Sequence, residues 1–238
     1  MIKDLKVKVY ADGADLQSMV EEYKKGLVKG FTTNPSLMKS AGVTSYRDFA
    51  KSVLKNIKDM PVSFEVFADS KEDMIKEANE IDSWGKNVYT KIPVVDTNGV
   101  FNGEVIEVLN DSSVKVNITA VFTLQQVENI LKIINKETPA IISIFAGRIA
   151  DTGVDACKIV KKAVEMSKEY PYVEILWASC REVYNIFQAE EVGCHIITVQ
   201  NSLLKKNNLL GKDLNEYSVD TVNDFFKDAN SLGFSILE

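Results

Sequence analysis

The sequence has few of the residues that build disulfide frameworks and metal centres. It contains three cysteines and one histidine among 238 residues. Cys157, Cys180 and Cys194 are odd in number and form no CxxC pair, so neither a disulfide framework nor a thiolate zinc site is expected. One histidine cannot build a histidine-cluster metal site, and we interpret His195 as a packed or hydrogen-bonded structural residue. Acid–base chemistry is therefore expected to use carboxylates, Lys, Tyr or ordered water.

Long apolar runs and an excess of positive charge are also missing. No stretch reaches the length of a membrane span, and the first residues carry no apolar run typical of a signal peptide. The net charge is −6 and no basic cluster is present, which argues against a protein that binds nucleic acid by neutralising phosphates. We expect a cytoplasmic protein without a membrane or nucleic-acid partner.

Short β-branched runs alternate with amphipathic helical stretches along the chain, and eight strands can be assigned. The predicted strands are 6–10, 27–31, 62–67, 88–94, 114–119, 140–145, 173–178 and 195–199. A helix is predicted after each strand, and a last helix at about 218–230 lies within a C-terminal helical extension of about 212–238. No linker divides the chain, so a single domain over residues 1–238 is expected.

Eight strand–helix pairs predict an α/β fold in which a parallel sheet closes as a (β/α)₈ TIM barrel with an extra C-terminal helix. The length of 238 residues is within the range of that fold. The alternative is an open doubly wound sheet. The sequence has neither GxGxxG nor GxxxxGK[ST], so the nucleotide-binding versions of the open sheet lack their signature.

Polar residues fall at the C-terminal ends of seven consecutive predicted strands, where barrel enzymes carry their chemistry. These residues are Asp12, Asn34, Glu65, Lys91, Asn117, Thr119, Ser143, Arg148, Ser179 and Arg181. Each has an ordinary alternative: Asp12 and Asn34 could cap helices, and Glu65 could pair with a surface lysine. Seven strands that bring polar groups to one end indicate a working site instead, because buried charges are costly unless they are paired.

Lys91 lies in the middle of a nearly apolar strand, within residues 87–95. On an edge strand such a lysine is a solvated residue that prevents aggregation. Inside a closed barrel it is a desolvated amine that can attack a carbonyl carbon. The other polar residues favour the second interpretation, with a carbinolamine and then an iminium ion. Arg148 and Arg181 suit a phosphate, which a guanidinium can bind through two hydrogen bonds.

Five short motifs resemble the transaldolase family, which includes the fructose-6-phosphate aldolases. The motifs are TTNPS at 32–36, KIP at 91–93, NIT at 117–119, FAGR at 145–148 and ASCR at 178–181. They occur in order at these strand positions, and the resemblance runs through nearly the whole chain. The resemblance implies a (β/α)₈ barrel whose Schiff-base lysine lies on the fourth strand.

The resemblance also implies a role for each matched residue. Lys91 corresponds to the nucleophile and Asp12 to the general acid/base, while Glu65 and Thr119 correspond to the pair that holds the catalytic water. The remaining correspondences are Asn34, Asn117 and Ser143 for the Schiff base and hydroxyls, and Arg148, Ser179 and Arg181 for the phosphate. The family uses no cofactor or metal, acts on sugar phosphates and is generally homo-oligomeric.

Two positions distinguish the branches of the family. The aldolase branch typically has Gln where this chain has Glu65 and Tyr where it has Phe145, so the transaldolase branch is favoured. Transfer of a dihydroxyacetone unit from sedoheptulose 7-phosphate to glyceraldehyde 3-phosphate is implied. The alternatives are an aldolase that releases free dihydroxyacetone and a non-catalytic sugar-phosphate-binding barrel. The loop at 94–103 is longer than usual in the family, and we expect it to affect acceptor access.

Overall fold

The strands of the protein form one closed parallel barrel. The computed structural model describes residues 2–237, except for the Lys3 side chain. The strands are β1 (Lys8–Asp12), β2 (Gly30–Thr32), β3 (Val62–Glu65), β4 (Val88–Pro93), β5 (Val116–Val121), β6 (Ala140–Ile144), β7 (Val173–Trp177) and β8 (Ile196–Gln200). Each strand pairs in parallel with the next, and β8 closes the barrel on β1. The predicted (β/α)₈ fold is therefore confirmed.

The helices surround this barrel in the expected alternation. They are α1 (Leu16–Lys25), α2 (Pro35–Ser40), α3 (Tyr46–Asn56), α4 (Lys71–Asp82), α5 (Gly103–Asp111), α6 (Leu124–Ile133), α7 (Ala146–Asp151), α8 (Ala156–Ser167), α9 (Tyr184–Glu191), α10 (Asn201–Leu204) and α11 (Leu214–Ser231), with short 3₁₀ helices at Ile2–Asp4 and Lys205–Leu209. The helix expected from about Gly153 to Glu169 is α8 in the structure, and the short helix α7 before it was not expected. Gly153 has φ 82°, so it turns the chain between α7 and α8 and does not begin a helix.

Side-chain caps fix the starts of several helices. The Ser70 and Asp15 side chains accept hydrogen bonds from backbone N–H groups in the first turns of α4 and α1. Thr123 and Gln126 form a reciprocal capping box at the start of α6. Such caps satisfy backbone donors that have no partner within the helix. They explain why sequence patterns located these helices to within a few residues.

The lower part of the barrel interior is apolar. A buried cluster of Tyr10, Ile141, Leu176, Ala178 and Ile196 fills it. The Tyr10 ring lies so close to the β2 backbone that a side chain at the neighbouring strand position, Gly30, would overlap it. Burial of one large apolar side chain contributes roughly 1.5–3 kcal/mol. Leu176 and Ala178 of this cluster also line the cavity at the upper end of the strands, so the polar side chains there adjoin an apolar layer.

The chain divides into two compact units, one up to Lys205 and one from Lys206 onward. The first unit contains the barrel. The second contains α11, whose Asp213 cap accepts two backbone hydrogen bonds and whose Val219, Val222, Phe225 and Phe226 side chains are exposed. The predicted extra C-terminal helix is therefore present, while the single-domain assignment stays a prediction. In the part of the chain that the structure describes, no helix is long and apolar enough to cross a membrane.

The start of α7 contacts the end of β7 backbone to backbone. The Gly147 N–H group donates a hydrogen bond of 3.3 Å to the Ala178 carbonyl oxygen. A Cβ at Gly147 would lie 1.6 Å from the carbonyl oxygen of Ser179, which is an impossible contact. Ser179 itself has φ 62°, a strained conformation for a residue with a side chain. The two segments can pack this closely because residue 147 has no side chain.

His195 is a structural residue, as the sequence suggested. Its Nδ1 atom accepts a hydrogen bond of 2.9 Å from the backbone N–H of Ile175 in β7. Burial lowers the pKa of His195, while Glu174 raises it and Lys8 lowers it. The neutral imidazole is the form that can accept this hydrogen bond. The interaction therefore ties β7 to the start of β8 only while His195 is uncharged.

Gly147→Ala is expected to destabilise the barrel by more than about 3 kcal/mol, because the new methyl group forces two backbone segments apart. The measurement is the free energy of unfolding from urea titration. Gly13→Ala is the matched control, because a Cβ there meets only an ordinary contact at 3.8 Å. Equal stability of the two variants would contradict the close packing of Gly147 on Ser179.

At pH values lower than about 6.5, the ordinary pKa of histidine, the free energy of unfolding is expected to decrease. The reason is that protonation of His195 removes the acceptor for the Ile175 N–H. A lowered folded-state pKa gives stability that is present above the unfolded-state pKa and lost as pH decreases toward the folded-state value. The wild type should lose up to about 1 kcal/mol more than His195→Gln between neutral and acidic pH. Parallel pH profiles for the two proteins would contradict this role.

Candidate active site

A cavity of about 470 Å³ opens at the C-terminal ends of the strands. Ten of the eleven residues singled out in the sequence line it. They are Asp12, Asn34, Glu65, Lys91, Thr119, Ser143, Phe145, Arg148, Ser179 and Arg181. The eleventh, Asn117, does not line the cavity and is fully buried. The barrel thus brings together groups that are up to 169 residues apart in the sequence (from Asp12 to Arg181).

Lys91 is the buried cation of this cavity. Its side chain is 8% exposed, and Nζ lies 2.8 Å from Glu65 Oε2. Nζ also donates a hydrogen bond of 2.8 Å to the carbonyl oxygen of Thr33. The β3–β4 register places Glu65 directly beside Lys91 on the neighbouring strand, so both side chains point to the lumen. The solvated edge-strand interpretation of Lys91 is therefore wrong, because the closed barrel has no edge at β4.

Asp12 lies at the end of β1 in a chain of hydroxyl groups. Thr32 Oγ1 donates a hydrogen bond of 2.7 Å to Asp12 Oδ1, and it shares a second one of 2.5 Å with Thr198 Oγ1. Burial raises the pKa of the Asp12 carboxyl group, and Glu65 also raises it, while Lys91 and the Thr32 hydroxyl lower it. The desolvation of the charged form is the largest of these effects. Asp12 is therefore suited to hold and release a proton closer to neutral pH than an ordinary carboxylate.

A buried amide orders the floor beside Lys91. Asn117 is the register neighbour of Lys91 on β5. Its Nδ2 donates to Ser63 Oγ at 3.0 Å, and its Oδ1 accepts from Ser143 Oγ at 2.6 Å. The three side chains link β3, β5 and β6 across the lumen. Both ends of the amide are satisfied, so the Ser143 hydroxyl is held in place where it lines the cavity.

Thr119 differs from Asn117 because its side chain is buried without a hydrogen-bond partner among the described residues. It is 2% exposed, it lines the cavity, and its Oγ1 atom has no hydrogen-bond partner in the structure. A regular ladder with β6 is interrupted between Ile118 and Val121, and the intervening Ala120 has φ 57°. Bulges of this kind re-aim side chains next to binding sites. A buried hydroxyl without a protein partner is suited to bind a water molecule or a substrate atom.

Arg148 and Arg181 lie at the outer part of the cavity. The Arg148 guanidinium lies over the Phe145 ring, with Cζ 5.2 Å from the ring centroid. Arg181 forms an ion pair with Asp151 through Nε and Nη2. Ser179, which follows β7 and also lines the cavity, has the positive-φ conformation described above. Two guanidinium groups and a hydroxyl group make this part of the cavity suited to an anion.

Asn34 has a structural role in addition to its place in the cavity wall. Its Oδ1 atom accepts a hydrogen bond of 3.0 Å from the Leu37 N–H and so caps α2. The helix-cap alternative considered for Asn34 is therefore correct, and it does not exclude the cavity position. The same alternative is wrong for Asp12, because the cap of α1 is Asp15 and Asp12 bonds to Thr32 instead.

Some residues of the site were missed in the sequence. Thr32 and Thr198 fix the Asp12 carboxylate, Ser63 orders Asn117, and the Thr33 carbonyl accepts from Lys91. Strand periodicity carried part of the signal, because Thr198 lies two positions after the buried Ile196 and faces the same side of β8. Nothing in the periodicity identified a backbone carbonyl as a partner of Lys91.

The loop at 94–103 does not contribute to the cavity wall. It is fastened at Thr97, whose N–H and hydroxyl groups both donate to the Asp69 carboxylate at 2.9 Å and 2.6 Å. Asp96 turns the loop by accepting from the backbone of Asn98 and Val100. The expectation that this loop controls acceptor access has no support in the cavity lining.

The site combines a buried amine, two carboxylates, ordered hydroxyl and amide groups, and an anion-binding rim. An amine in contact with a carboxylate can lose a proton to it and become a nucleophile. A second carboxylate with a raised pKa can exchange protons with a substrate. Within residues 2–237 no three His, Cys, Asp or Glu side chains form a group that could hold a metal ion. The arrangement is competent for amine-catalysed chemistry on a carbonyl compound.

Comparison with known protein structures shows the fold. A putative phosphonomutase from Burkholderia cenocepacia J2315 is similar over 95% of this chain and 96% of its own, with a TM-score of 0.57 and 10% sequence identity. At this identity the similarity concerns only the barrel. It agrees with the closed eight-stranded sheet described above.

Comparison of sequences shows the family. The profile of the Transaldolase/Fructose-6-phosphate aldolase family matches residues 9–236. Probable transaldolases of Caldicellulosiruptor saccharolyticus and Thermoanaerobacter sp. are 32% and 33% identical to the chain, over 84% and 83% of it and 88% of each relative. A probable transaldolase of Methanococcus maripaludis is 31% identical over 84% of the chain and 89% of its own. The chain therefore belongs to the transaldolase/fructose-6-phosphate aldolase family.

Proposed function

We propose that the protein is a transaldolase that moves a dihydroxyacetone unit through a Schiff base on Lys91. The proposed reaction converts sedoheptulose 7-phosphate and glyceraldehyde 3-phosphate into erythrose 4-phosphate and fructose 6-phosphate, a step of the pentose phosphate pathway. The observation that carries the proposal is the buried Lys91 amine, 2.8 Å from the Glu65 carboxylate. Such an amine inside a closed barrel has no structural purpose that an apolar residue would not serve better.

The reaction begins with the Lys91–Glu65 contact. Glu65 accepts a proton from the Lys91 ammonium, and the free amine attacks the ketone carbon of the donor. A carbinolamine forms, and loss of its hydroxyl group as water leaves an iminium ion. A water molecule held by Glu65 and the unpartnered Thr119 hydroxyl carries protons in this dehydration and in the final hydrolysis.

Asp12 serves the carbon–carbon bond. It removes the proton from the C4 hydroxyl group of the donor, the C3–C4 bond breaks, and its electron pair moves to the iminium nitrogen to give an enamine. The first aldose leaves with a new carbonyl group at the former C4. The enamine carbon then attacks the acceptor aldehyde, and Asp12 returns its proton to the new hydroxyl group. The raised pKa of Asp12 suits a group that must first accept a proton from a hydroxyl group and later donate it.

The remaining residues orient the substrate. Ser143, fixed by Asn117, and Asn34 can bind the hydroxyl groups of the dihydroxyacetone unit. Arg148, Ser179 and Arg181 are the proposed phosphate-binding groups at the outer end of the cavity. The reaction needs no cofactor, because the lysine supplies the electron sink.

Phe145 favours transfer over release. It lines the cavity beside Arg148 and offers no hydroxyl group. A phenol at this position could protonate the enamine carbon, after which hydrolysis would release free dihydroxyacetone. With phenylalanine there, the enamine persists until an aldehyde acceptor enters.

The cellular setting is also part of the proposal. We place the enzyme in the cytoplasm, because all three cysteines are free thiols in the structure, as a reducing compartment requires. A homo-oligomeric state stays a prediction.

Borohydride reduction in the presence of fructose 6-phosphate is expected to add a covalent mass to Lys91, because the reagent reduces the iminium ion to a stable secondary amine. The measurement is peptide mass spectrometry. Lys91→Ala should show no addition. Lys8→Ala is the matched control, since Lys8 is an exposed lysine on β1 and its removal should leave the labelling intact. An unlabelled wild type, or labelling that survives in Lys91→Ala, would reject the Schiff base.

Phe145→Tyr is expected to raise the release of free dihydroxyacetone from fructose 6-phosphate by about tenfold or more when no acceptor is present, because general acid catalysis contributes at least that much. The wild type should form product only when erythrose 4-phosphate is added. Phe122→Tyr is the matched control, because Phe122 packs on Phe145 at 5.7 Å but does not line the cavity. Rapid release by the wild type would indicate the aldolase reaction instead.

A further inference from the structure

Arg181 is held by a carboxylate that the proposed chemistry does not use. Asp151, the last residue of α7, accepts from Arg181 Nε at 3.3 Å through Oδ1 and from Nη2 through Oδ2. The two side chains are about half exposed, 47% for Arg181 and 53% for Asp151. Exposed ion pairs contribute little to stability. The two-point contact therefore serves to orient the Arg181 guanidinium group more than to stabilise the fold.

The contact occupies only one edge of the guanidinium group. A guanidinium has five N–H donors, which form two edges that can each bind an anion through two parallel hydrogen bonds. Asp151 takes the edge made by Nε and Nη2. Among residues 2–237 no partner binds the edge made by Nη1 and the second Nη2 hydrogen, so that edge can bind a phosphate. A carboxylate on one edge fixes the plane of the group and so the direction of the other edge.

Arg148 is oriented by a different neighbour in the same segment. Its guanidinium lies over the Phe145 ring, three positions earlier in the chain, and no ion pair joins it to Asp151 among the described residues. The segment 145–151 therefore orients both arginines, one by an aromatic face and one by a carboxylate. Gly147 in the same segment fixes its backbone against Ser179, the third group of the phosphate site.

We propose that Asp151 is a positioning residue that aims the free edge of Arg181 at a phosphate group in the cavity. The inference rests on the proposed function, since it assigns phosphate binding to Arg181. It does not depend on the Schiff base. A competing role would make Asp151 an internal competitor that blocks Arg181 until phosphate displaces it, and the two roles predict opposite effects of its removal.

Titration calorimetry of the full chain with inorganic phosphate tests the inference directly. Asp151→Asn removes the charge and one acceptor oxygen, so Arg181 must be ordered when phosphate binds. Ordering one flexible side chain weakens affinity by up to about tenfold, and we expect a loss of that size. Asp151→Glu keeps the carboxylate and should bind phosphate nearly as well as the wild type. Tighter binding by Asp151→Asn, or equal binding by all three proteins, overturns the proposal.

Two controls isolate orientation from charge and from folding. Removal of the Asp151 charge by itself favours phosphate binding, so the titrations are made at about 0.15 M and about 1 M salt, between which the screening length falls from about 8 Å to about 3 Å. A loss of affinity in Asp151→Asn has the opposite sign to this charge effect. Glu80→Gln is the matched variant, because it removes the charge of another exposed ion pair, with Arg47, and neither residue lines the cavity. Phosphate affinity should not change in it. A loss in Glu80→Gln equal to that in Asp151→Asn would contradict a local role.

Steady-state kinetics separate this inference from the proposed function. In Asp151→Asn the KM for fructose 6-phosphate should rise by about tenfold while kcat changes by less than about twofold, because uniform binding is lost. With unphosphorylated fructose as donor and glyceraldehyde as acceptor, which keep the C3–C4 bond chemistry but carry no phosphate group, neither constant should change. Equal losses with both donors would indicate a general structural defect and overturn the proposal. If the wild type transfers no three-carbon unit while phosphate affinity still depends on Asp151, the transaldolase assignment fails and the positioning role stands.

Discussion

The contact between Lys91 and Glu65 is the constraint on which the rest of the barrel depends. Removing two charges from water costs several kcal/mol for each ion, and their attraction offsets this only with good geometry and further hydrogen bonds. The register of β3 on β4 supplies the geometry, and the Thr33 carbonyl supplies a further acceptor for Lys91. An apolar layer around Tyr10 closes the barrel below. The polar layer therefore rests on an apolar layer within the same barrel.

Most polar groups around that contact are already committed to fixed partners before any substrate is present. Thr32 orients Asp12, and Asn117 orients Ser143. Preorganised groups of this kind need no rearrangement when charge develops in a reaction. Thr119 is the exception, a buried hydroxyl without a partner. The contrast separates the groups that shape the site from a hydroxyl group that is left available to a water molecule or a substrate.

The barrel, the lumen position of Lys91 and most of the cavity wall were predicted from two signals, the alternation of strands with helices and the polar residues at strand ends. These two signals depend on local sequence order. The hydroxyl pair of Thr32 and Thr198 did not follow from the sequence, since it joins residues 166 positions apart and exists only once β8 closes on β1. The helix α7 was missed for a related reason. Its six residues are too few for a periodic pattern, and its place depends on the contact of Gly147 with Ser179 across two strands.

The two carboxylates of the site lie in different environments, which is why different roles are proposed for them. Glu65 lies against an ammonium group, so its nearest proton donor is Lys91. Asp12 lies against hydroxyl groups, and burial raises its pKa. Environments that differ in this way identify acid and base partners. In the proposed mechanism, a proton that leaves Lys91 has Glu65 as its acceptor at 2.8 Å, and a proton that leaves a substrate hydroxyl goes to Asp12. The division of labour therefore follows from which strand each carboxylate ends and from what that strand's neighbours carry.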